Sequence, residues 1–362
     1  MRILITGATG QVGSHLLWRL WRGGHEVTAL VRPESAGRWR YLLPRIEQIF
    51  GPVPCSARGP IAVSGDLRLA NAGVLSPWIA AHRGRIDAVI HTAADTRFHP
   101  VRREDQWQTN VQGTAHALAL TETLGAQRVV HVSSLFVAGS GGHTLSETEL
   151  EVGQAFRCPY ERSKFEAERL AQAWAARTGI SVTVARPGIV LGTSGTGTTL
   201  TYPHFFGFLR AIDLFAQRAL PGESIAVDLP PHARPPLVCV DDVARAIEAA
   251  LDAPLPPPCL HLFDPQSPTL EEIAELLRGD AAECVLHFGP QTDASPAARA
   301  VLSWLRQHRA FLAAPPQAEN EMTCAWLASR GVPPPRVTAA TLATQRAAWH
   351  RESQRLVTGA AA

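Results

Sequence analysis

A tyrosine and a lysine four positions apart carry the clearest chemical signal in the sequence. Tyr160 and Lys164 lie in the segment Tyr-Glu-Arg-Ser-Lys, and Lys164 is the only lysine in the chain. Residues four apart meet on one face of a helix, one turn from each other. An ammonium beside a phenol stabilises the phenolate and lowers a pKa that is otherwise about 10. The pair therefore predicts that Tyr160 acts as a general acid and that Lys164 tunes it.

Coincidence is the alternative interpretation of this pair, because Y-x-x-x-K is a short motif. The chain has three tyrosines. Its single lysine would follow one of them at this spacing by chance in roughly one placement in a hundred. Arginine is no simple substitute for that lysine, since its planar fork has a different shape and charge distribution. The composition thus favours a functional pair.

Two serines offer the hydroxyl that such a site needs. Ser133 and Ser134 follow a predicted strand at 129–132, and ligands of open α/β sheets bind beyond the carboxyl ends of the strands. Either hydroxyl can hold a substrate carbonyl and stabilise the charge that develops on its oxygen. The alternative is a serine pair that only satisfies loop backbone. Asn110, near the start of a predicted helix, is a further catalytic candidate that would hold backbone or a proton-relay water.

Three glycines near the N-terminus form a pattern typical of dinucleotide binding. They lie between a predicted strand at 3–5 and a predicted helix, which is the context that the motif requires. Glycine is needed at the tight turn, at the closest approach to the pyrophosphate and where helix and strand pack, and the helix N-terminus attracts the phosphates. An ordinary glycine turn is the alternative. The predicted phosphate-binding residues are Gly7, Thr9, Gly10, Gln11, Val12 and Gly13.

An arginine stands where this motif usually places an acidic residue that binds the ribose. Arg32 follows the second predicted strand, and a guanidinium grips a 2′-phosphate that a carboxylate would repel. Arg38 or Arg40 is expected as a second clamp. These arginines favour NADP(H) over NAD(H), the alternative being a solvated surface arginine. Asp66, followed by Leu67, is expected either to meet the adenine or simply to form a turn.

Strands and helices alternate through the first half of the chain. Short apolar runs at 26–31, 61–64, 88–91 and 182–185 continue the series of strands, and the clearest later helices are 107–124 and 160–176. This alternation predicts right-handed βαβ units and a doubly wound parallel sheet of the α/β class. We expect a dinucleotide domain at 1–192 plus about 237–265. A smaller, discontinuous, mostly helical C-terminal lobe, about 193–236 and 266–362, is expected to bind substrate.

The overall composition excludes several classes of protein. A net charge of +2 is too small to predict a nucleic-acid partner or a membrane surface. The six cysteines show no C-x-x-C and no zinc-like spacing, so we expect reduced thiols and no metal site. No apolar stretch is long enough to span a bilayer, and no signal-peptide pattern is present. The sequence predicts a cytoplasmic protein.

Taken together, these motifs resemble the extended and atypical short-chain dehydrogenase/reductase superfamily. The resemblance covers about residues 1–192 and rests on TGATGQVG, GDL, HTAAD, NVQGT, HVSS, YERSK and RPG, in that order. It implies a Rossmann-type domain and a catalytic set of Ser134, Tyr160 and Lys164. Ser134 is preferred to Ser133 because the family's hydroxyl usually precedes a glycine by five positions, here Gly139. The implied cofactor contacts also include Thr92, Ala93, Ala94, Pro187, Gly188 and Val190, with Tyr160 and Lys164.

Within that superfamily, the chain looks most like the thioester reductase and fatty acyl-CoA reductase branch. The features are Val31-Arg32, the stretch 94–98, a proline before Tyr160, and a Gly/Ser/Thr-rich loop at 192–197. Ser134 is a departure, because many thioester reductases carry threonine there. The resemblance implies NADPH-dependent reduction of an acyl thioester, bound to coenzyme A or to an acyl carrier protein, or of the derived aldehyde.

Two other functions stay open from the sequence. The same scaffold serves sugar-nucleotide epimerases and dehydratases that hold NAD tightly, although Arg32 argues against them because that group usually has an acidic residue there. A non-catalytic NADP(H) sensor or scaffold protein is the second alternative. The intact serine, tyrosine and lysine argue against it, since a pure binder needs no proton donor. The sequence sets neither substrate identity nor oligomeric state.

Overall fold

A computed structural model of the protein describes residues 1–54, 58–218, 223–278, 285–290, 295–296 and 298–357. Its strands are, in chain order, β1 (Arg2–Thr6), β2 (Glu26–Val31), β3 (Ile61–Ser64), β4 (Ala88–His91), β5 (Arg128–Val132), β6 (Thr144–Leu145), β7 (Ser181–Pro187), β8 (Ile189–Leu191), β9 (Ser224–Val227), β10 (Leu237–Cys239), β11 (Cys259–Leu262), β12 (Val285–Phe288) and β13 (Gln317–Ala318).

Its α-helices are α1 (Gln11–Arg22), α2 (Ala36–Phe50), α3 (Ser76–His82), α4 (Arg103–Trp107), α5 (Gly113–Leu124), α6 (Pro159–Thr178), α7 (Phe205–Ala216), α8 (Val240–Asp252), α9 (Leu270–Arg278), α10 (Arg299–Ala313), α11 (Glu321–Ser329) and α12 (Ala339–Val357). Among the residues that the structure describes, no helix is both long enough and apolar enough to cross a membrane.

Seven of the strands form one parallel sheet, in the order β11-β7-β5-β4-β1-β2-β3. The order runs outward from β1 in both directions, as expected when successive βαβ units are wound on the two sides of a starting strand. The central strands are buried, as apolar runs in a sheet covered on both faces should be. The predicted doubly wound α/β fold is thus confirmed, with β11 at one edge of the sheet.

The predicted helix at 107–124 is interrupted. The structure has α4, then a π-helical segment at Gln108–Gln112, then α5. The π-helical segment has five residues, which are too few for apolar periodicity to distinguish it from an α-helix. Such turns are frequent at functional sites, and this one contains Asn110.

The chain divides into two compact units, each made of three segments. Unit 1 consists of residues 1–188, 242–262 and 317–334, and unit 2 consists of residues 189–241, 263–316 and 335–362. Unit 1 contains the main sheet. Residues 317–334, which the sequence had placed in the C-terminal lobe, belong to unit 1 because β13 pairs with β6. The other predicted domain boundaries, and a role of the second part in binding substrate, stay predictions.

Unit 2 has its own apolar core and two small parallel pairs of strands. β10 pairs with β8, and β12 pairs with β9. Its helices include α7, α9, α10 and α12, so the expectation of a helical C-terminal region is confirmed. Phe206 and Leu209 of α7 pack in one cluster with Trp349 of α12. Trp349 also donates its indole N–H to Asp213 at 2.6 Å, which satisfies the polar end of a buried aromatic ring.

Candidate active site

Helix α6 carries Tyr160 and Lys164 at its beginning, and the local sequence explains why the helix begins there. Cys158 is the extended residue before the helix and Pro159 is its first residue, where a missing N–H costs nothing. Gly179 ends the helix in the left-handed conformation that glycine adopts without strain. Both functional side chains are buried, with 7% of Tyr160 and 3% of Lys164 exposed.

The structure distinguishes the two serines at the end of β5. The Ser134 hydroxyl accepts a hydrogen bond from the Phe136 amide at 3.3 Å, and it lies close enough to Tyr160 to lower the pKa of that phenol. The Ser133 hydroxyl instead donates to a carboxylate oxygen of Glu168 at 2.6 Å. This geometry agrees with the preference for Ser134 over Ser133, and it places two hydroxyl groups together at the carboxyl end of the sheet.

The electrostatic state of Tyr160 differs from the one that the sequence predicted. Burial raises its pKa to about 12, and the nearby Ser134 hydroxyl opposes that shift. The expectation that the neighbouring ammonium lowers this pKa is therefore wrong for the chain by itself. The physical reason is desolvation of the phenolate, since the ring is enclosed and packs against Phe98 at 5.6 Å between ring centroids.

Lys164 makes a specific contact with the strand beside it. Its Nζ donates to the backbone carbonyl of Val132 at 2.8 Å. Burial lowers its pKa to about 8, and the negative charge of Glu168, one helical turn further on, opposes that shift. Burial, with the charge of Lys164 as a smaller cause, also lowers the pKa of His91 to about 3 and that of His131 well below its usual value. The ammonium thus lies beside two histidines that are neutral at physiological pH.

Asn110 organises a loop rather than the reacting groups. Its side-chain amide accepts from the Asp95 amide at 2.7 Å and donates to the Asp95 carbonyl at 2.9 Å. It also donates to the Ser163 hydroxyl at 2.9 Å. Of the two roles considered from the sequence, the structure shows the contact with backbone. A catalytic role of Asn110 stays a prediction.

The glycine loop between β1 and α1 has the close approaches that a dinucleotide cradle requires. A Cβ on Gly13 would lie 2.1 Å from the Gly7 carbonyl oxygen. Gly7 has a φ of +73°, and a Cβ there would lie 2.6 Å from the Ala93 amide nitrogen. Thr9, Gly10, Gln11 and Val12 complete the loop and the first turn of α1. Only glycine fits at the two crowded positions, so the loop fits a bound pyrophosphate.

The residues after β4 lie against this loop. Thr92 donates its hydroxyl to the Thr6 carbonyl at 2.7 Å, and the Ala93 amide donates to the Thr6 hydroxyl. Ala94 follows and is half-buried. At the end of β7, Pro187 is buried and the Gly188 amide donates to Leu262 at 3.0 Å. Val190, also predicted to line the cofactor, belongs to β8 of unit 2.

Two arginines converge on one carboxylate at the end of β2. The Nη1 of Arg32 lies 3.4 Å from Oε1 of Glu34, and the Nη2 of Arg68 lies 4.0 Å from the same atom. Arg68 also binds Asp66, with Nη2 at 2.6 Å from Oδ2. These hydrogen bonds lower the pKa of Asp66. Asp66 also accepts a hydrogen bond from the Arg68 amide at 2.9 Å, so it forms the turn that the sequence offered as one alternative. A contact with the adenine stays a prediction.

The other predicted residues at this end lie apart from the arginine pair or within the core. Arg38 is exposed on α2. The Leu67 side chain packs in the apolar core of unit 1, and its carbonyl oxygen lies 2.7 Å from Nδ1 of His116. Their contacts with a cofactor stay predictions.

A buried ion pair joins α6 to β7. Arg186 and Glu168 are 1% and 0% exposed, and their closest atoms, Nη2 and Oε1, are 2.5 Å apart. Arg186 also bonds His261 at 2.8 Å and the Glu149 carbonyl at 2.7 Å. A buried charge is tolerated only when it is paired and its remaining donors are satisfied, as they are here.

Three residues beside the candidate side chains were not predicted from the sequence as parts of the site: Arg68, Glu168 and Phe98. Two signals were available: Glu168 is four residues after Lys164, and Arg68 directly follows the GDL motif. No spacing rule could have found Phe98, because its loop is placed by long-range contacts.

The chain is similar to several known proteins. Residues 5–247 match the model of the NAD-binding family described as male sterility protein. The UDP-glucuronic acid decarboxylase 1 of Danio rerio is 25% identical over 308 residues, which are 82% of this chain and 65% of that protein. The L-2-aminoadipate reductase large subunit of Penicillium chrysogenum is 30% identical over 274 residues, 68% of this chain and 18% of that protein. The chain thus spans less than two thirds of the length of either relative.

Solved structures share the fold at lower identity. The terminal R domain from the myxalamid PKS-NRPS biosynthetic pathway has a TM-score of 0.80 at 23% identity, covering 98% of this chain and 91% of that one. MoeE5 in complex with UDP-glucuronic acid and NAD has a TM-score of 0.66 at 22% identity, covering 98% of this chain and all of the other.

Proposed function

Because the chain belongs to the NAD-binding male sterility protein family, among the extended short-chain dehydrogenase/reductase enzymes, we propose that it is an NADPH-dependent reductase of carbonyl groups. The substrate that we favour is an acyl thioester, or the aldehyde derived from it. The observation that carries this proposal is the Ser134–Tyr160 hydroxyl pair, with Lys164 one helical turn away in the same unit as the glycine cradle.

The two hydroxyl groups suit a carbonyl oxygen. Ser134 and Tyr160 can both donate to that oxygen and stabilise the negative charge that develops on it. A bound nicotinamide supplies the hydride that reaches the carbonyl carbon. Tyr160 then gives its proton to the oxygen, and the Lys164 ammonium stabilises the phenolate that remains.

A phenol whose pKa is about 12 is a weak acid before substrate arrives. Its proton moves to an alkoxide-like oxygen, which is a far stronger base than water, so the raised pKa is compatible with this role. The positive charge of Lys164 then favours the product side of the proton transfer.

With a thioester, hydride addition and protonation give a hemithioacetal. Its carbon–sulfur bond breaks, the thiol leaves with the hydroxyl proton, and an aldehyde remains. A second hydride addition, with a second proton from Tyr160, would convert that aldehyde into an alcohol. The relative named L-2-aminoadipate reductase large subunit supports a reduction as the reaction. A carrier protein that presents the acyl group is part of the proposal.

NADPH is favoured because Arg32 and Arg68 approach one carboxylate oxygen of Glu34. Two guanidinium groups that already share one anionic partner have the spacing to share a phosphate. In place of the predicted second clamp at Arg38 or Arg40, we propose Arg68.

Conversion of a nucleotide sugar is the second candidate. It is supported by the similarity to UDP-glucuronic acid decarboxylase 1 and by the fold shared with MoeE5, whose structure contains UDP-glucuronic acid and NAD. Such a reaction would use the same tyrosine and lysine but would consume no cofactor overall.

The test follows NADPH absorbance with acyl-coenzyme A, acyl-carrier-protein, aldehyde and UDP-sugar substrates, and analyses every product. We expect NADPH consumption with a thioester or an aldehyde. Conversion of a UDP-sugar without net NADPH loss would replace the reductase proposal with the second candidate.

The matched variants are Tyr160→Phe and Tyr41→Phe, since Tyr41 is 78% exposed. Tyr160→Phe removes only the acidic hydroxyl, so turnover should fall by about 10²–10⁴-fold while NADPH binding changes little. Tyr41→Phe should match the wild type. A loss below about tenfold in Tyr160→Phe would contradict the role of Tyr160 as the acid.

A further inference from the structure

Ser133 lies between the two backbone positions on which the catalytic pair depends. The residue before it, Val132, accepts the Lys164 hydrogen bond through its carbonyl oxygen. The residue after it, Ser134, lies beside the Tyr160 hydroxyl. A contact that holds Ser133 in place therefore also helps to position the Lys164 ammonium and the Tyr160 phenol.

Ser133 is held at both its backbone and its side chain. Its amide donates to the Ala185 carbonyl at 2.7 Å, which continues the pairing of β5 with β7. Its hydroxyl donates to Glu168 at 2.6 Å. Glu168 is fully buried and lies on α6, four residues after Lys164. The carboxylate thus joins the catalytic helix to the turn after β5.

We propose that Glu168 is a positioning residue of the active site: it joins α6 to the turn after β5, orients Val132 and Ser134 through Ser133, and lies one helical turn from Lys164. This inference rests on the proposed function. It adds a residue that contacts neither substrate nor cofactor and acts through Ser133 and Lys164.

The charges around Lys164 explain why the Glu168 carboxylate has a large effect on the pKa of that lysine. Lys164 faces His91 of β4 and His131 of β5, and both histidines have lowered pKa values, so they carry no positive charge at neutral pH. Glu168 is the group whose charge raises the pKa of Lys164 against the effect of burial.

Two groups face Glu168 from the neighbouring elements, and a third, Glu147, lies near both of them. Arg186 of β7 is paired with it. Cys259 of β11 has its pKa raised to about 12, chiefly by burial, and is therefore a neutral thiol. Glu147, after β6, accepts hydrogen bonds from the amides of Met322 and Thr323 at 2.8 and 2.6 Å. Arg186 is thus the cation that pairs with Glu168. Lys164 is a second cation, and the charge of Glu168 favours its protonated form.

The composition of the chain makes this testable without any substrate. Lys164 is the only lysine, so protein labelled with ¹⁵N-lysine has a single side-chain Nζ resonance. The pH titration of that resonance reports the protonation of Lys164 directly. We expect a midpoint near pH 8 in the wild type.

Glu168→Gln should shift that midpoint downward by about one pH unit or more, because the favourable charge is lost. It should also lower kcat/KM at least tenfold and move the alkaline limb of the activity profile to lower pH. Glu166→Gln is the matched control on the same helix, since Glu166 pairs with the surface residue Arg169 at 2.9 Å. The control should keep the wild-type midpoint and rate.

Ser133→Ala separates the two parts of the proposal. It removes the link from Glu168 to the turn but leaves the charge, so we expect lower kcat with an unchanged Lys164 midpoint. If Glu168→Gln leaves Arg186 uncompensated and does not fold, the double variant Glu168→Gln, Arg186→Gln removes both charges and should still show the downward shift.

An unchanged midpoint in a folded Glu168 variant would overturn the proposal, and so would an unchanged rate in both Glu168→Gln and Ser133→Ala. The Nζ titration needs no reaction, so it tests the role of Glu168 independently of the proposed function. Full turnover by Tyr160→Phe would contradict the proposed function alone.

Discussion

At the scale of single residues, the electrostatic states of the candidate side chains differ from those that the sequence predicts. Ser134 lies near Tyr160, and Lys164 lies one helical turn further along α6. The predicted direction of the Tyr160 pKa shift was wrong, because the burial of Tyr160 depends on distant segments such as the loop that holds Phe98. A pKa is set by the whole environment of a group, of which a local motif shows only a part.

The lowered pKa of Lys164 predicts an alkaline limit to activity. The ammonium is the active form, so kcat/KM should be highest below about pH 8 and should fall as the pH rises through that value. A lysine at its ordinary pKa of about 10.4 would stay active well above pH 9. The measurement is kcat/KM for NADPH-dependent reduction between pH 6 and 10. A profile that is flat to about pH 9.5 would show that burial does not depress this pKa.

The Arg32–Arg68 pair predicts the choice of cofactor. Arg32→Asp should weaken NADPH binding at least tenfold and improve the relative binding of NADH, because a carboxylate repels the 2′-phosphate. Arg68→Ala should weaken NADPH binding while leaving NADH nearly unaffected. Arg58→Ala is the control, as Arg58 is exposed and pairs with Glu26. Fluorescence titration of each variant with both cofactors measures these affinities. Unchanged NADPH affinity in Arg32→Asp would contradict the proposal that Arg32 binds the 2′-phosphate.

At the scale of elements, the glycine loop and the alternation of strands and helices could be predicted from the sequence. The interruption of the helix before α5 could not. A glycine triplet between a strand and a helix is a local pattern with a physical cause. The π-helical turn at Gln108–Gln112 depends on Asn110, whose partners are Asp95 and Ser163. Partners 15 and 53 residues away leave no trace in helical periodicity.

The crowding at Gly13 predicts a sharp effect of one methyl group. In Gly13→Ala the new Cβ would lie 2.1 Å from the Gly7 carbonyl oxygen, so the backbone of the loop must move. We expect NADPH affinity to fall at least tenfold, since the loop and the start of α1 would separate.

Gly37→Ala is the matched control, because a Cβ at Gly37 on α2 would meet nothing within 4 Å. That change should be neutral or stabilise the protein by up to about 1 kcal/mol. Calorimetric binding of NADPH to both variants measures the difference, and equal affinities would argue against a pyrophosphate at this loop.

At the scale of the whole molecule, the alternation of elements was enough to predict one large sheet and a second, helical region. It could not predict that residues 317–334 return to unit 1. That return depends on two short paired strands, Gln317–Ala318 and Thr144–Leu145, and two-residue strands have no detectable pattern.

A cofactor that binds the folded chain and not the unfolded one raises the thermal stability of the protein. NADPH at about 100 times its Kd should stabilise the protein by about 2.7 kcal/mol through mass action. NADH at the same concentration should raise Tm less, if its affinity is lower. Differential scanning calorimetry with each cofactor measures this, and an equal rise with both would oppose a preference for NADPH.

The return of residues 317–334 limits how the protein can be divided by engineering. The chain passes between the two units after residues 188, 241, 262, 316 and 334, so neither unit is a continuous stretch that can be exchanged as a cassette. A chimaera that replaced everything after residue 265 would delete Met322 and Thr323, whose amides bind Glu147. A graft of the second unit from a relative must therefore keep residues 317–334 with the first.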